Sequence, residues 1–554
     1  MQNAMLWAAK RIRSQIPAMT VMTLAHMGQA LLGVAFALGT RQVIDSAVGG
    51  DPDAFLGACL LQSGIIAGLI LCQLLYRHLH EMLMAQLDRQ WKRSTLRDLL
   101  HSEYAAVSRF HSGELLNRMN NDVRILNQGL LDALPNVAAL MTRLVAAMAV
   151  LASMEPWFTL VICGAGGIVI LATGLLRRRL KILHKAVSER EGRVLSFLQE
   201  TLEKLMMVQA MDAGAEMERR SEGLLADRYS AQRRRKNMSL MTNTCVNLLS
   251  QGTSFAALLW CGTKLLRGQL SFGSLTAVTQ LVSQIQAPVM NLSAVIPQYI
   301  AMSAAAERLK ELSDLEPEPP ALGADGEDLY RRMTAIRAEG LCFSYDRDVL
   351  LEQVSLELPK GSFAVVTGSS GIGKSTLLKL LMGFCRPGSG RLYLQLEGEQ
   401  VDVGRAVRHL FAYVPQGNLL LSGTLRENLT LAKPDATQVQ LRQALYVSAM
   451  DEYLPQLPDG LETMLGENGA GLSEGQAQRL AIARAVRGGA PILLLDECTS
   501  ALDADTEQKV LERLRALPDR TCIAVPHRPA AIRLCDVQLE VSEGHILVKN
   551  GEMT

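Results

Sequence analysis

The stretch Gly368–Thr376 reads Gly-Ser-Ser-Gly-Ile-Gly-Lys-Ser-Thr, a pattern that can hold a chain of phosphates. Glycines let backbone N–H groups wrap phosphate oxygens, the lysine reaches the terminal phosphates, and the following serine hydroxyl can ligate Mg²⁺. The pattern therefore predicts a P-loop that binds a nucleotide. Its predicted nucleotide contacts are Gly368, Ser369, Ser370, Gly371, Gly373, Lys374, Ser375 and Thr376.

A second chemical motif is the pair Asp496-Glu497, which follows the apolar run Ile492–Leu495. A carboxylate at the end of an apolar strand beside a P-loop is placed to hold Mg²⁺, directly or through water. We interpret Asp496 in this way and Glu497 as the base that activates the attacking water. The alternative is that the pair only caps the next helix.

The segments around these motifs predict the elements that position them. Phe363–Thr367 is a β-branched run that leads into the P-loop, and Leu377–Leu381 continues it with a helical pattern. A strand, a glycine-rich loop and a helix in this order are the context in which a P-loop match is credible. Beyond Glu311 such runs alternate with helical segments, which predicts an α/β domain.

Hydrophobic residues make up 49% of the 554-residue chain and are concentrated in the first 300 positions or so. About six apolar stretches there are each close to the ~20 residues that a helix needs to cross a bilayer. They are Pro17–Leu38, Phe55–Leu75, Leu134–Met154, Trp157–Leu176, Thr244–Leu266 and Ser274–Ile300. The first is too long for the core of a secretory signal, and we interpret it as a retained span.

Positive charge predicts the orientation of these spans. Clusters of Lys and Arg flank one set of ends, whereas the opposite loops, such as Met154-Glu155-Pro156, contain few cations. The clusters lie within 10–13, 89–97, 177–181 and 233–236. Because cytoplasmic loops carry the excess of Lys and Arg, the N-terminus is predicted to be cytosolic.

Two long connections, Tyr76–Leu131 and Arg177–Asn243, show apolar residues at helical spacing and almost no proline. They predict helical extensions of the spans into the cytosol, since ~25 helical residues reach ~37 Å. Turns are predicted near Ser112-Gly113 and near Asp212-Ala213-Gly214.

Polar residues recur along single faces of the last two spans. Buried polar groups must face another helix or a wet cavity, and the sequence slightly favours a water-filled pathway. The two stripes are Gln280, Gln284, Asn291 and Gln298, and Asn243, Asn247, Ser250 and Ser254. Arg143 falls near the middle of the third span, where pairing with another helix is favoured over contact with an anionic cargo.

Charge and cysteine usage exclude several classes. A net charge of +1 with high apolar content argues against a disordered chain and gives no indication of a nucleic-acid partner. The 10 cysteines are scattered without a CxxC pair, which favours isolated thiols over a disulfide or zinc framework.

Between the two chemical motifs lies Leu472-Ser473-Glu474-Gly475-Gln476, which resembles the signature motif of ATP-binding-cassette (ABC) ATPases. Further matches follow the order of that family. Tyr345 resembles its adenine-stacking aromatic, Gln416 its Q-loop glutamine, Ser500–Asp503 its D-loop and His527 its switch histidine. Ser112–Val123 is similar to the first intracellular loop of exporter-type members.

The resemblance implies an exporter-type half-transporter. Its fold would be a membrane all-α domain of six transmembrane helices with long cytosolic extensions, followed by an α/β P-loop ATPase domain. We expect a transmembrane domain at 1–315, a linker at 316–331 that includes the Pro-rich Glu316–Pro320, and a nucleotide-binding domain at 332–554. The resemblance implies an integral membrane protein, and we expect it in the bacterial cytoplasmic (inner) membrane. Its ATPase domain would lie in the cytosol.

The family also implies roles for the matched residues, with ATP and Mg²⁺ as cofactors. Glu497, His527 and Gln416 would be catalytic, and Ser375, Gln416 and Asp496 would hold the metal. Tyr345, Gln416, Ser473, Gly475, Gln476 and Asp503 would join the P-loop in contacting nucleotide. Two departures are Glu474, where glycine is commoner, and Pro526, which removes a backbone donor and fixes φ directly before His527.

One ATPase domain and about six spans are half of such a transporter, so the resemblance predicts a dimer. A homodimer is favoured, and a heterodimer with a related half-transporter is the alternative. The cytosolic arms would dock near Gln416. The expected function is ATP-driven export of a small molecule, peptide or lipid. Import on the same fold, as of a siderophore-like cargo, and an ATP-gated channel or regulatory membrane ATPase remain open.

Overall fold

The computed structural model describes residues 2–319, 326–345, 348–417, 420–526, 528 and 531–550. Within 165–181 and 289–296 it describes the backbone but not every side chain. The chain divides into two compact units. The first comprises Met1–Asp98 and His111–Asp314, and the second comprises Leu99–Phe110 and Leu315–Thr554.

The first unit is entirely helical over its described residues. Its helices are α1 Gln2–Arg11, α2 Ile16–Gly49, α3 Pro52–Leu100, α5 Ser112–Asn117, α6 Val123–Gln128, α7 Leu134–Met154, α8 Pro156–Glu203, α9 Leu205–Ala210, α10 Gly214–Leu266 and α11 Phe272–Ser313. Two π-helical turns, Arg118–Asp122 and Gly129–Ala133, join α5, α6 and α7 into one long rod. Five very long helices with short connections are typical of helices that run back and forth through a bilayer.

Packing in the first unit follows helical periodicity. In α3 the fully buried residues Leu83, Leu87 and Trp91 recur every four positions and so share one face. They form a core with Leu126 and Met302 from other helices. By contrast, the apolar half of α3 before Tyr76 exposes many large side chains, as expected of a surface that meets lipid.

Three helical stretches among the described residues are long and apolar enough to cross a membrane: Arg13–Gly49, Pro52–Leu100 and Ser112–Met154. They contain the first three predicted spans. The other three predicted stretches are also helical, in α8, α10 and α11. In α10 the apolar run is interrupted by polar residues such as Asn247 and Gln251, which lowers its hydropathy.

The favoured interpretation of the polar stripes as a water-filled pathway is wrong for three of their members. Gln284 donates from Nε2 to the backbone oxygen of Gly33 at 2.8 Å, which ties α11 to α2. Ser250 and Ser254 on α10 bond Gln286 of α11, at 2.7 and 3.5 Å. Ser250, Ser254 and Gln286 satisfy one another, because a helix–helix hydrogen bond removes the cost of an unpaired polar atom in an apolar layer. In Gln284 only Nε2 is bonded, and its buried Oε1 has no partner among the described residues. The side chain of Asn291 lies outside the described residues.

The far ends of the two arms differ in how well the sequence predicted them. The turn at Asp212-Ala213-Gly214 is confirmed, with Asp212 at φ 49° between α9 and α10. The turn predicted near Ser112-Gly113 lies a few residues earlier, at 108–111, because both predicted residues belong to α5 and the chain already leaves α3 after Leu100. Gly113 sits in the first helical turn, where N–H groups lack intrahelical partners, so glycine does not break the helix there.

The second unit contains three sheets. Their strands are β1 Met333–Tyr345, β2 Asp348–Pro359, β3 Phe363–Thr367, β4 Ser389–Leu396, β5 Gln400–Asp402, β6 Phe411–Val414, β7 Gly423–Thr424, β8 Met464–Leu465, β9 Ile492–Asp496, β10 Thr521–Val525, β11 Val537–Ser542 and β12 His545–Asn550. The six-stranded sheet has the order β12-β11-β3-β10-β9-β6, with only the β11–β12 pair antiparallel. An antiparallel sheet has the order β2-β1-β4-β5, and β7 pairs with β8.

The helices of this unit complete the expected α/β domain. They are α4 Tyr104–Val107, α12 Gly326–Arg332, α13 Lys374–Leu381, α14 Leu425–Thr430, α15 Gln438–Val447, α16 Glu474–Gly488 and α17 Ala504–Arg515. Strands β3, β9 and β10 are almost wholly buried because helices and the second sheet cover both faces. Parallel strands direct their carboxyl ends to one edge, and the loops there carry the chemical motifs.

Residues Leu99–Phe110, which we expected within the transmembrane domain, belong to the second unit. Ser102 forms a β-bridge with Pro317, and Glu103 donates its N–H to the backbone oxygen of Glu316 at 3.0 Å. Glu318 also forms ion pairs with Arg405 and Arg408. The end of the first arm is thus fastened to the Pro-rich linker.

Candidate functional site

The P-loop folds between β3 and α13, as its sequence context predicts. Gly368, Gly371 and Gly373 have φ values of 145°, 81° and 109°, which L side chains rarely adopt. A Cβ on Gly368 would also lie 2.6 Å from the backbone oxygen of Val541. Lys374 Nζ donates to the backbone oxygens of Gly368 and Ser369 at 3.0 and 2.9 Å, so its ammonium lies over the loop.

Ser375 opens α13 and meets Asp496 at the end of β9. The Ser375 Oγ donates to Asp496 Oδ1 at 3.1 Å, and the Tyr413 hydroxyl donates to Oδ2 at 3.1 Å. Asp496 is 1% exposed, and burial raises its pKa above the usual value although both hydroxyl donors act against this. Burial, together with Asp496, likewise raises the pKa of Tyr413. The carboxylate is therefore held by neutral donors and has no cation bonded to it among the described residues.

Glu497 follows on a strained backbone. Its φ is 49°, in the left-handed region that favours glycine, and its N–H donates to the Val525 oxygen at 3.0 Å. This conformation turns the side chain of Glu497 to Gln416, which follows the neighbouring strand β6. Gln416 Nε2 donates to Glu497 Oε2 at 2.6 Å.

The signature motif forms the start of α16. Ser473 Oγ accepts the Gln476 N–H at 3.3 Å, while Gln476 Oε1 accepts the Ser473 N–H at 2.8 Å, a capping box. A Cβ on Gly475 would lie 2.9 Å from the backbone oxygen of Ala501. Gln476 is therefore engaged in capping, and Gly475 permits close contact between α16 and the D-loop.

Asp503 caps α17, accepting the Thr506 N–H at 3.0 Å, and that hydrogen bond lowers the Asp503 pKa. Next to it, Arg528 donates to the Leu502 oxygen at 2.8 Å and lies 3.6 Å from Glu507. His527 lies outside the described residues.

Tyr345 ends β1 and is 45% exposed. Its hydroxyl lies 3.7 Å from Cys385 Sγ, and burial, with this contact, raises its pKa to about 12, so the ring stays neutral at physiological pH. It lines a cleft of about 1110 Å³ within the second unit. The other wall includes Tyr104, whose ring centroid lies 5.0 Å from that of Phe384. The first arm's end therefore docks on Phe384 and Arg386. Its Tyr104 also lies close enough to Tyr413, three residues before Gln416, to help raise the pKa of Tyr413.

The donor set near the P-loop fits Mg²⁺. Ser375 and Asp496 offer a hydroxyl and a carboxylate within 3.1 Å of one another, and hard oxygen ligands suit this ion. No group of three or more His, Cys, Asp or Glu that could hold a metal occurs among the described residues, so a metal here needs phosphate oxygens as further ligands.

Sequence reasoning missed two polar residues of this region. Gln478 donates to Ser500 Oγ at 3.0 Å and accepts the Ala501 N–H at 3.1 Å, which joins α16 to the D-loop. Gln478 is 5% exposed. A glutamine on the otherwise apolar face of α16 could have indicated, from sequence, that its side chain has a buried polar partner. Tyr413, the second, has no such signal, since its partner Asp496 is 83 residues away.

Comparisons with known proteins agree with this geometry. The family described as ABC transporter transmembrane region matches residues 19–289, and the family described as ABC transporter matches residues 351–500. The ATP-dependent lipid A-core flippase of Vibrio vulnificus (strain CMCP6) is 30% identical over 450 residues, which are 79% of this chain and 75% of that protein.

The cyclolysin secretion/processing ATP-binding protein CyaB of Bordetella pertussis is 30% identical over 381 residues, 68% of this chain and 52% of that protein. The chain thus spans about half the length of that curated relative. A solved structure of a bacterial Atm1-family ABC exporter with ATP bound has a TM-score of 0.80, covers 98% of this chain and 96% of its own, and is 23% identical, which shows the fold. With a transmembrane region and an ATPase region fused in one polypeptide, this chain belongs to the ABC transporter family.

Proposed function

We propose that this integral membrane protein hydrolyses ATP and uses the energy to export a cargo. The observation that carries the proposal is the cluster at the carboxyl edge of the six-stranded sheet. There Ser375 lies 3.1 Å from Asp496, and Gln416 lies 2.6 Å from Glu497. The same chain carries helices long and apolar enough to span a membrane.

The P-loop residues bind the phosphates. The backbone N–H groups of Gly371, Gly373 and Lys374 face the anion at the start of α13, where the helix dipole favours negative charge. Lys374, which in this structure bonds two loop carbonyls, exchanges those neutral acceptors for phosphate oxygens. Tyr345 stacks on the adenine through its exposed, neutral ring.

The residues at the ends of β6 and β9 carry out hydrolysis. Glu497 accepts a proton from the attacking water. Gln416, which is already bonded to the Glu497 carboxylate, orients that water. Ser375, Asp496 and Gln416 would hold Mg²⁺, which would supply positive charge to neutralise the phosphates. His527 remains our candidate for stabilising charge on the γ-phosphate.

Two copies of the chain form the working unit. The start of α16 presents Ser473 and Gly475, and a helix N-terminus is suited to an anion. We assign these to the γ-phosphate bound by the partner copy's P-loop, with Gln476 and Asp503 shaping the surface. ATP then closes the dimer because it contacts both copies only in the closed state. The test is the mass of the purified Glu497→Gln variant in solution with ATP bound. A mass that corresponds to one chain would contradict the dimer.

The cargo carries an anionic group on an amphipathic body. Arg143 lies in α7 and forms no hydrogen bond or ion pair with the residues that the structure describes, so the expected pairing within the chain is not seen there. An arginine in a span without a partner is costly unless it meets water or an anion. The names of the relatives, a flippase and a secretion protein, do not select a cargo.

The direction of transport decides between export and its alternatives. In inside-out proteoliposomes with external ATP, we expect ATP-dependent accumulation of those anionic amphiphiles that stimulate hydrolysis. Arg143→Ala should reduce that stimulation, whereas Thr142→Ala beside it should not. Efflux driven by ATP would indicate an importer, and ion conductance without hydrolysis would indicate a channel.

We assign the protein to the bacterial inner membrane, with its ATPase domain cytosolic.

A further inference from the structure

A basic pocket lies in the second unit and is built from segments outside the nucleotide motifs. Its volume is about 490 Å³. Its walls come from the loop after α14, from α15, from the end of α16 and from the segment before β10. Lys433, Arg487 and Arg520 line it, and Asp435 is the one acidic residue among the described residues that do so.

Arg487 is the unusual member of this pocket. It is 7% exposed, and its Nε has no hydrogen-bond partner among the described residues. Its best contact is a long one, from the guanidinium to the Lys433 backbone oxygen at 3.5 Å. A buried guanidinium carries a large desolvation cost unless acceptors meet it, and the one contact of its terminal nitrogens is long, so these nitrogens can accept an anion as a better partner.

The other two cations, Lys433 and Arg520, add to the positive electrostatic potential of the pocket. Lys433 Nζ lies against Gly489, where a Cβ would approach it to 3.0 Å. Arg520 donates to the Ala490 backbone oxygen, and burial lowers its pKa, which means that the positive charge is poorly solvated. No carboxylate among the described residues forms an ion pair with any of the three. Arg487 is buried, Arg520 is half-buried and Lys433 is exposed, and three cations lining one pocket repel one another unless an anion is present.

Helix capping explains only part of this arrangement. Arg487 lies in the last turn of α16, where a cation is favourable to the helix dipole. That argument accounts for one charge near the helix end. It does not account for the convergence of Lys433 and Arg520, or for the long single contact of the Arg487 terminal nitrogens.

We propose that this pocket, defined by Lys433, Arg487 and Arg520, binds a small phosphate-bearing anion. The planar guanidinium of Arg487 offers paired N–H donors that match phosphate oxygens, and the Lys433 ammonium supplies a second point charge. The volume is within the range of small-ligand pockets and suits inorganic pyrophosphate or the phosphates of a nucleotide. The proposal does not depend on the transported cargo.

The test measures binding of labelled pyrophosphate to the full-length protein in nanodiscs, with the P-loops saturated with unlabelled ADP. We expect one additional site per chain. Arg487→Leu and Lys433→Gln should each weaken it about tenfold or more, since each removes a charge-assisted contact. Arg442→Gln removes an exposed cation on α15 outside the pocket and should leave binding unchanged. Binding should also weaken as salt rises.

A parallel titration with labelled ADP distinguishes free phosphate from nucleotide as the occupant. Two ADP per wild-type chain, falling to one in Arg487→Leu, would assign the pocket to a nucleotide. One ADP per chain together with the extra pyrophosphate site would assign it to a small phosphate. One ADP retained by Arg487→Leu also shows that this variant is folded. The proposal would be overturned if the wild-type chain bound neither pyrophosphate beyond the P-loops nor a second ADP, or if all four proteins bound these ligands equally.

Discussion

Gln416 and Glu497, 81 residues apart in the chain, are joined by a hydrogen bond of 2.6 Å from Nε2 to Oε2. The bond exists because β6 and β9 are neighbouring parallel strands, so the loops after them emerge side by side. It links the residue proposed to orient the water to the residue proposed to deprotonate it. A signal that moves Gln416 would therefore act on Glu497 directly.

Glu497→Gln should lower the rate of ATP hydrolysis about 100-fold or more while ATP still binds, because the amide cannot accept the proton. Turnover and equilibrium binding of ATP measure the two effects separately. The control is Glu512→Gln, an exposed glutamate on α17, which should hydrolyse ATP at the wild-type rate. Hydrolysis retained by Glu497→Gln would assign the base to another residue.

Gly475→Ala should destabilise the contact of α16 with the D-loop by about 1–3 kcal/mol, since a Cβ would lie 2.9 Å from the Ala501 oxygen. We expect slower hydrolysis and a lower melting temperature. Gly488→Ala, at the other end of the same helix, meets nothing within 4 Å and is the matched control. If both variants melt alike, the close approach has no energetic consequence.

Asp496→Asn should raise the melting temperature of the nucleotide-free protein at neutral pH. Burial raises the pKa of Asp496, so this carboxyl stabilises the fold below its unfolded-state pKa and loses that contribution as pH rises through the folded-state pKa. The asparagine variant lacks this loss, and its advantage should vanish at acidic pH. Thermal unfolding across a pH series checks both statements. A lower melting temperature for Asp496→Asn at neutral pH would show that the hydroxyl contacts outweigh burial.

Lys264→Met should destabilise the first unit by about 3 kcal/mol, because it leaves a buried carboxylate without its cation. Glu155 is 4% exposed in its side chain and bonds Lys264 Nζ at 2.7 Å and Trp260 Nε1 at 3.1 Å. Adding Glu155→Gln should restore most of the loss, since the amide can still accept from Trp260. Thermal unfolding in one detergent compares the wild type with the two variants, and a double variant as unstable as Lys264→Met would contradict this account.

Tyr345→Ala should raise the KM for ATP about tenfold, the usual effect of losing one base–aromatic contact. Tyr345→Phe keeps the ring and loses only the hydroxyl contact to Cys385, so its KM should be close to that of the wild type. Steady-state hydrolysis over a range of ATP concentrations measures both. Equal KM values for the alanine and phenylalanine variants would remove Tyr345 from the adenine site.

The P-loop could be predicted from sequence alone because its function depends on consecutive residues. Gly368, Gly371 and Gly373 adopt φ values that glycine permits, and the flanking strand and helix are encoded beside them. The membrane region could be predicted for a related reason. Long apolar runs decide where a chain crosses a bilayer, whatever the rest of the fold does.

Contacts between distant residues were decided by tertiary packing. Ser375 meets Asp496 across 121 residues, and Gln478 finds the D-loop, only because parallel strands align the loops that follow them. The polar stripes show the same limit, since helical periodicity places Gln284 and Ser250 on a face but does not say that another helix lies against it. The end of the first arm joined the second unit through Ser102 and Glu103, backbone contacts that side-chain pattern does not encode. Neighbouring residues thus determine local conformation, whereas the packing of whole helices and strands determines which distant residues come into contact.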